Sequence, residues 1–241
     1  MKNIKVLVKW LETTNLFSMI RNYILRSLAS YYNSKGKLLY IFSNSLDVNA
    51  VNQINRIKEE TEILMSDQEA YLIYTTVAKL EKIPGDIAEV GVYKGGTAKL
   101  IRHKSKKPLH LFDTFKGLPK LSTKDNKKQF HEGEFSASME EVKINLAKYS
   151  KVYLYKGLFP LTAKKIMNKK FSFVHLDVDL YKSTLDCLKY FYPRVSRGGV
   201  IISHDYPNSD GVKKAFDEFF QDKPEIIIEP FATGQCLIVK V

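Results

Sequence analysis

The stretch Ile87–Leu100, Ile-Ala-Glu-Val-Gly-Val-Tyr-Lys-Gly-Gly-Thr-Ala-Lys-Leu, restricts the fold of this chain more than any other. Pro84-Gly85 before it marks a turn, and Ile87, Ala88, Val90 and Val92 make the short apolar run of a buried strand. Gly91 ends that run, Gly95-Gly96 let the backbone turn tightly, and Thr97 opens a helix. A strand, a glycine turn and a helix start, in that order, set free N–H groups and a positive helix end beside a ligand. The alternative is a packing turn without a ligand, so downstream residues must supply the rest of a site.

With 241 residues, 44% of them hydrophobic, the chain can bury a full core. One α/β domain over residues 65–241, preceded by a helical extension over 1–64, fits better than two domains. Cys187 and Cys236 lie far apart in apolar runs, without pairing or ligand spacing, which suggests a reducing compartment and excludes a thiolate metal site. No apolar stretch reaches spanning length and residues 1–30 lack signal-peptide features, so the expected location is cytoplasmic. The formal charge of +12 favours acidic partners. It is spread along the chain and is densest in Lys116–Lys128, which a solvated loop explains as readily as a partner.

Residues 1–34 read as a helix with Leu16, Ile20, Ile24, Leu28 and Tyr31 on one face beside Arg21 and Arg26. Such a stretch packs on its own domain, joins a homodimer or makes peripheral contact with a membrane surface. Asn33-Ser34-Lys35-Gly36 breaks it, and 37–60 read as mixed helix and loop. Ser66-Asp67-Gln68-Glu69 has the pattern of a capping box, opening a helix that buries Ala70, Ile73, Tyr74, Val77 and Leu80. Strands follow at Leu109–Phe112, Val152–Tyr155, Phe171–Leu176 and Gly199–Ser203, with helices near Met139–Lys148, Thr162–Asn168, Ser183–Tyr192 and Gly211–Gln221. That alternation predicts a parallel sheet with helices on both faces. Glu225–Glu229 and Gln235–Val241, joined by the turn Ala232-Thr233-Gly234, add a tight final pair whose last strand runs antiparallel. The expected fold is therefore a Rossmann-like sheet of the methyltransferase variant, with seven mostly parallel strands and a reversed last one.

Ligands of such sheets sit beyond the carboxyl ends of the strands. Asp113 falls about twenty residues after the glycine turn, where a carboxylate accepts hydrogen bonds from a ribose diol. Asp177 and Asp179 leave one strand, and His204 and Asp205 leave its expected neighbour. Carboxylates converging from two strand ends suit a hard divalent cation; strand-end caps and ion pairs are the alternative. His175 reads as a strand residue satisfied locally. Gly157 and Phe159 border the same pocket, and the long polar stretch Lys116–Ser138 reads as its lid.

Gly85–Gly96 resembles the cofactor motif of the macrocin-type (TylF-like) O-methyltransferases, S-adenosylmethionine-dependent enzymes that methylate sugar hydroxyls. Phe112-Asp113-Thr114-Phe115-Lys116-Gly117-Leu118-Pro119, Leu176–Thr184 and Gly198–Tyr206 resemble that family's later blocks, in order. The resemblance runs from about Met65 to the C-terminus. It implies S-adenosylmethionine held by Glu89, Gly91, Tyr93, Gly95, Gly96, Thr97, Asp113, Ser138, Gly157 and Asp177, with Glu89 at the methionine end. It also implies Mg²⁺, or another divalent cation, on Asp177, His204 and Asp205. The last pair is commonly Asp-Asp in antibiotic-pathway members and is His204-Asp205 here. Asp177 is the expected catalytic residue, as cation ligand and candidate base, with Asp179 as the other candidate base. The implied acceptor is a sugar or glycan hydroxyl. Nucleic acid is not an expected partner, because no Pro-Pro-Tyr-type block occurs. A nucleic-acid methyltransferase, an NAD-dependent oxidoreductase or epimerase, and a binding protein without catalysis are the competing readings.

Overall fold

The computed structural model describes residues 47–230 and 233–241. The expected helix over 1–34, the break after it and part of the 232–234 turn lie outside the described residues. The strands are β1 Asp86–Val90, β2 Leu109–Asp113, β3 Val152–Lys156, β4 Phe171–Leu176, β5 Val195–Ser203 and β6 Cys236–Val239. They form one sheet in the order β3-β2-β1-β4-β5-β6, with β1 to β5 parallel and β6 antiparallel to β5. The helices are α1 Val48–Glu60, α2 Asp67–Lys79, α3 Gly96–Lys104, α4 Met139–Leu146, α5 Tyr181–Phe191 and α6 Asp210–Phe220.

Every position of β4 is buried, as a central parallel strand covered on both faces requires. Val174 and Leu176 join Phe191 of α5 and Phe216 of α6 in one layer. Phe173, Ile87, Leu111 and Ile202 face the other, meeting Ile73 and Val77 of α2, Ile101 of α3 and Val142 of α4. α1 docks Ala50, Ile54 and Ile57 against Ala70, Tyr74 and Leu100. The capping box at the start of α2 is formed: Ser66 N–H donates to Glu69 Oε2 at 2.7 Å, and Glu69 N–H donates to Ser66 Oγ at 3.3 Å.

Two expectations need correction. The described residues hold six strands, one fewer than expected, because Glu225–Glu229 makes only a single bridge, Ile228 to Leu237. Pro224 and Pro230 flank that segment without N–H groups, and Glu225 turns its carboxylate inward to Lys240 and Tyr192. The short helix expected at Thr162–Asn168 is a 3₁₀ turn over Leu161–Ile166.

From β1 the chain winds outward through β2 and β3, then returns to lay β4 beside β1 and winds the other way. The crevice at the carboxyl ends of β1 and β4 is therefore the switch point where such sheets bind ligands. Hydrogen bonding continues one step past the strands here. Gly91 N–H donates to Phe112 O at 2.9 Å, Asp177 N–H to Val90 O at 2.9 Å, His204 N–H to Leu176 O at 2.8 Å, and Gly157 N–H to Asp113 O at 2.9 Å.

Candidate active site

Gly91 sits at the seam of the crevice with φ +85°, and a Cβ there would lie 1.7 Å from the Asp177 carbonyl oxygen. Only glycine allows β1 and the segment after β4 to approach so closely. Gly95 has φ 83° at the start of α3, and the turn between them is held by Asp113. One carboxylate oxygen accepts from Val92 N–H at 2.7 Å and Tyr93 N–H at 3.0 Å, and the other accepts from Phe115 N–H at 2.7 Å. A carboxylate offers about four lone-pair sites, so most of the capacity of Asp113 already holds the loop in shape.

Across the crevice, Asp177, His204 and Asp205 bring one donor atom each to within 4.8 Å of one another. His204 Nδ1 stands 3.4 Å from Asp177 Oδ1 and 2.9 Å from Asp205 Oδ2, while Nε2 faces Glu69 Oε1 at 3.6 Å. Burial alone would depress His204, but Asp177, Asp205 and Glu69 push its pKa up. Burial works the other way on Asp177, whose carboxyl is nevertheless held low by the His204 charge. Burial and the neighbouring Asp177 and Asp205 push Asp179 well above the usual carboxylate range. Glu69 keeps a carboxyl near 2 against its burial, through the facing His204 ring and hydrogen bonds from Ser66 and the Gly234 N–H.

Both groups open on one cavity of about 310 Å³, lined by Val90–Tyr93 and Gly96-Thr97 on one side and by Asp177–Asp179, His204 and Asp205 on the other. Tyr93, Asp179 and Asp205 have φ of 50°, 56° and 60°. Such left-handed non-glycine residues cluster at functional sites, where surrounding structure holds the strain. The stretch Lys116–Ser138 roofs the cavity with Leu118, Phe130 and Phe135. It is fastened from outside: Asp125 Oδ1 accepts the Tyr181 N–H at 2.7 Å, and Gln129 Nε2 donates to Asn208 O at 2.9 Å. Leu118 and Phe130 pack with Leu180 beneath it.

Of the expected cofactor residues, Gly91, Tyr93, Gly96, Thr97, Asp113, Gly157 and Asp177 line this cavity. Glu89, Gly95 and Ser138 are not among its lining residues. Glu89 lies on the opposite face of β1 from Ala88 and Val90, wholly buried, with Oε1 3.0 Å from Nδ1 of His175. Glu89 Oε2 and His175 Nε2 are both buried without a protein partner, and burial pushes the Glu89 carboxyl up. Gly95 backs onto Val142, and Ser138 stands at the N-cap of α4. Two residues escaped the sequence reading. Glu69 reads as a helix cap and nothing more, and no sequence signal marks Asp125.

A six-stranded sheet with this order, a reversed last strand, a glycine turn after β1 and polar strand ends beside it define a protein of the Rossmann-like methyltransferase fold. Residues 70–232 match the model of the macrocin-O-methyltransferase (TylF) family, and the chain belongs to that family. It is 30% identical over 156 residues to the 8-demethyl-8-(2,3-dimethoxy-alpha-L-rhamnosyl)-tetracenomycin-C 4'-O-methyltransferase of Streptomyces olivaceus, covering 58% of this chain and 59% of that one. It is 32% identical over 153 residues to the demethyldecarbamoylnovobiocin O-methyltransferase of Streptomyces niveus, covering 57% and 58%. The matches thus span under two thirds of those relatives. Among solved structures, the O-methyltransferase NovP superposes with a TM-score of 0.66 at 26% identity, over 73% of this chain and 81% of that one.

Proposed function

We propose that this chain transfers the methyl group of S-adenosylmethionine to a hydroxyl of a sugar or glycosylated metabolite, assisted by a divalent cation such as Mg²⁺. The observation that carries this reading is one cavity shared by a glycine corner on β1 and a carboxylate–imidazole cluster at the ends of β4 and β5. Membership of the macrocin-O-methyltransferase family supports it, as do relatives named as O-methyltransferases, one of them of a rhamnosyl-tetracenomycin.

The donor set fits a cation. Ligands next to each other around an ion bound at about 2.1 Å stand roughly 3 Å apart, and the Nδ1 separations of 2.9 and 3.4 Å are of that order. Asp177, His204 and Asp205 would hold the ion, which as a Lewis acid lowers the pKa of a bound hydroxyl. The remaining work belongs to the chain. Gly91, Tyr93, Gly96 and Thr97 receive the cofactor, and Asp113 fixes the loop that carries them. Asp177 and Asp179, both half-buried in the wall of the cavity, are the two carboxylates placed to accept the proton of the acceptor hydroxyl. Phe112, Leu118, Phe130 and Phe159 wall the cavity against water.

The test is Asp177→Asn. It should lower methyl transfer by at least about 10³-fold while S-adenosylmethionine binding, followed calorimetrically, stays within about threefold of wild type. Normal turnover by this variant in EDTA would overturn the cation-assisted reaction.

We also place the enzyme in the cytoplasm, a reading supported by two free, buried cysteines. Residues 1–64 would serve packing, homodimer formation or contact with a membrane surface. Sedimentation and vesicle flotation of the chain with and without residues 1–34 distinguish these roles.

A further inference from the structure

Glu69 stands in two structures at once. Its Oε2 closes the capping box of α2 by accepting from Ser66 N–H and Ser66 Oγ, both at 2.7 Å. A helix cap needs no more than that oxygen. Its Oε1 continues past the helix, accepts the Gly234 N–H at 2.6 Å and faces His204 Nε2 at 3.6 Å. The other ring nitrogen of His204 points into the gap between Asp177 and Asp205. Carboxylate, imidazole and cation gap therefore lie in sequence, the arrangement in which a carboxylate orients a metal-binding histidine and selects its tautomer.

We infer that Glu69 is a positioning residue: facing Nε2, it holds the His204 ring with a proton on that nitrogen, so that when a cation displaces the proton on Nδ1 that nitrogen becomes the donor of an N,O,O cation site. The inference rests on the cation site of the proposed reaction and not on the identity of the acceptor. It has a consequence for selectivity. An imidazole donor suits first-row transition ions better than Mg²⁺, which favours oxygen. This chain should thus bind Mn²⁺ in preference to Mg²⁺ by a wider margin than an all-carboxylate version of the same site.

The experiment is calorimetric titration of the full-length protein with Mn²⁺ and separately with Mg²⁺, with S-adenosylmethionine binding measured on each sample. Glu69→Gln should weaken Mn²⁺ binding by about 10- to 100-fold. His204→Asp should narrow the Mn²⁺/Mg²⁺ affinity ratio by at least about tenfold. Ser66→Ala removes one half of the capping box without touching His204, so it should lower the Tm yet leave Mn²⁺ affinity unchanged. In ¹⁵N spectra of the Mg²⁺-saturated protein the His204 ring should show Nε2 protonated in the Ser66→Ala variant as in wild type, and lose that bias in Glu69→Gln. Equal Mn²⁺ affinity in Glu69→Gln and wild type overturns the positioning role and leaves the proposed reaction standing. An unchanged Mn²⁺/Mg²⁺ ratio in His204→Asp overturns the nitrogen donor. If wild type binds S-adenosylmethionine but neither ion, this inference and the cation part of the proposed function both fall. Failure to bind S-adenosylmethionine, with Mn²⁺ bound as described, would remove the methyltransferase reading alone.

Discussion

Asp113 and Asp177 both close strands of one sheet and both face the same cavity, yet they are employed in opposite ways. Asp113 spends its oxygens on three main-chain N–H groups, so its charge is distributed over the loop that it shapes. Asp177 has His204 in front of it and a second carboxylate, Asp205, across the same gap. The first arrangement is satisfied internally and therefore builds a surface for a ligand. The second gathers side chains of opposite charge in a half-open crevice, where an incoming cation or hydroxyl can rearrange them. Geometry on one side and reactivity on the other share a border one residue wide, at Gly91.

That border is where the contrast is easiest to break. Gly91→Ala places a Cβ on the Asp177 carbonyl and forces a left-handed alanine, so it should destabilise by more than about 4 kcal/mol. Little soluble protein, or a collapsed thermal transition, is the expected readout; a normal Tm would mean that the two sides are not tied together. Asp113→Ala comes next. It strands three loop N–H groups and should cost about 2–4 kcal/mol, a fall in Tm of roughly 5–10 °C. Asp177→Ala should leave Tm within a few degrees by comparison, because no backbone group depends on that carboxylate in the same way. Equal losses in a melting experiment would erase the distinction. The smallest effect is on acid stability. The Glu69 carboxyl is lowered from an ordinary 4.5 to about 2, so its contribution is complete above about pH 4.5 and is lost as pH falls toward 2. Acid titration of Glu69→Gln should show a shallower decline over that window than wild type, and a superimposable curve would count against the assigned hydrogen bonds.

The sheet was legible where burial leaves one choice. Phe-Ser-Phe-Val-His-Leu, covered on both faces, has its ends at Phe171 and Leu176 in sequence and structure alike. The stretch Glu225–Glu229 looks equally apolar, but prolines on both flanks and an inward glutamate reduce it to one bridge. The three donors at the ends of β4 and β5 were readable because charged residues follow buried strands directly. Glu89 is placed by parity. Between Ala88 and Val90 it must point to the opposite face, and only the pairing of β1 with β4 reveals His175 there. The second duty of Glu69 was hidden because its helix cap accounts for it locally, whereas His204 lies far along the chain.

The amide bonds that run on past the strand ends hold Gly157, Gly91, Asp177 and His204 in one row, each hung from the neighbouring strand. Reacting distances are thereby indexed to the sheet rather than to the loops. One residue inserted within β4 would carry Asp177 about 3.3 Å along the strand and turn its side chain to the other face. Several residues added between Lys120 and Lys128 would leave that row where it is. A scaffold of this kind can remodel its loops in length and composition, and so change the shape of its cavity, while the spacing of the groups at the strand ends is inherited unaltered.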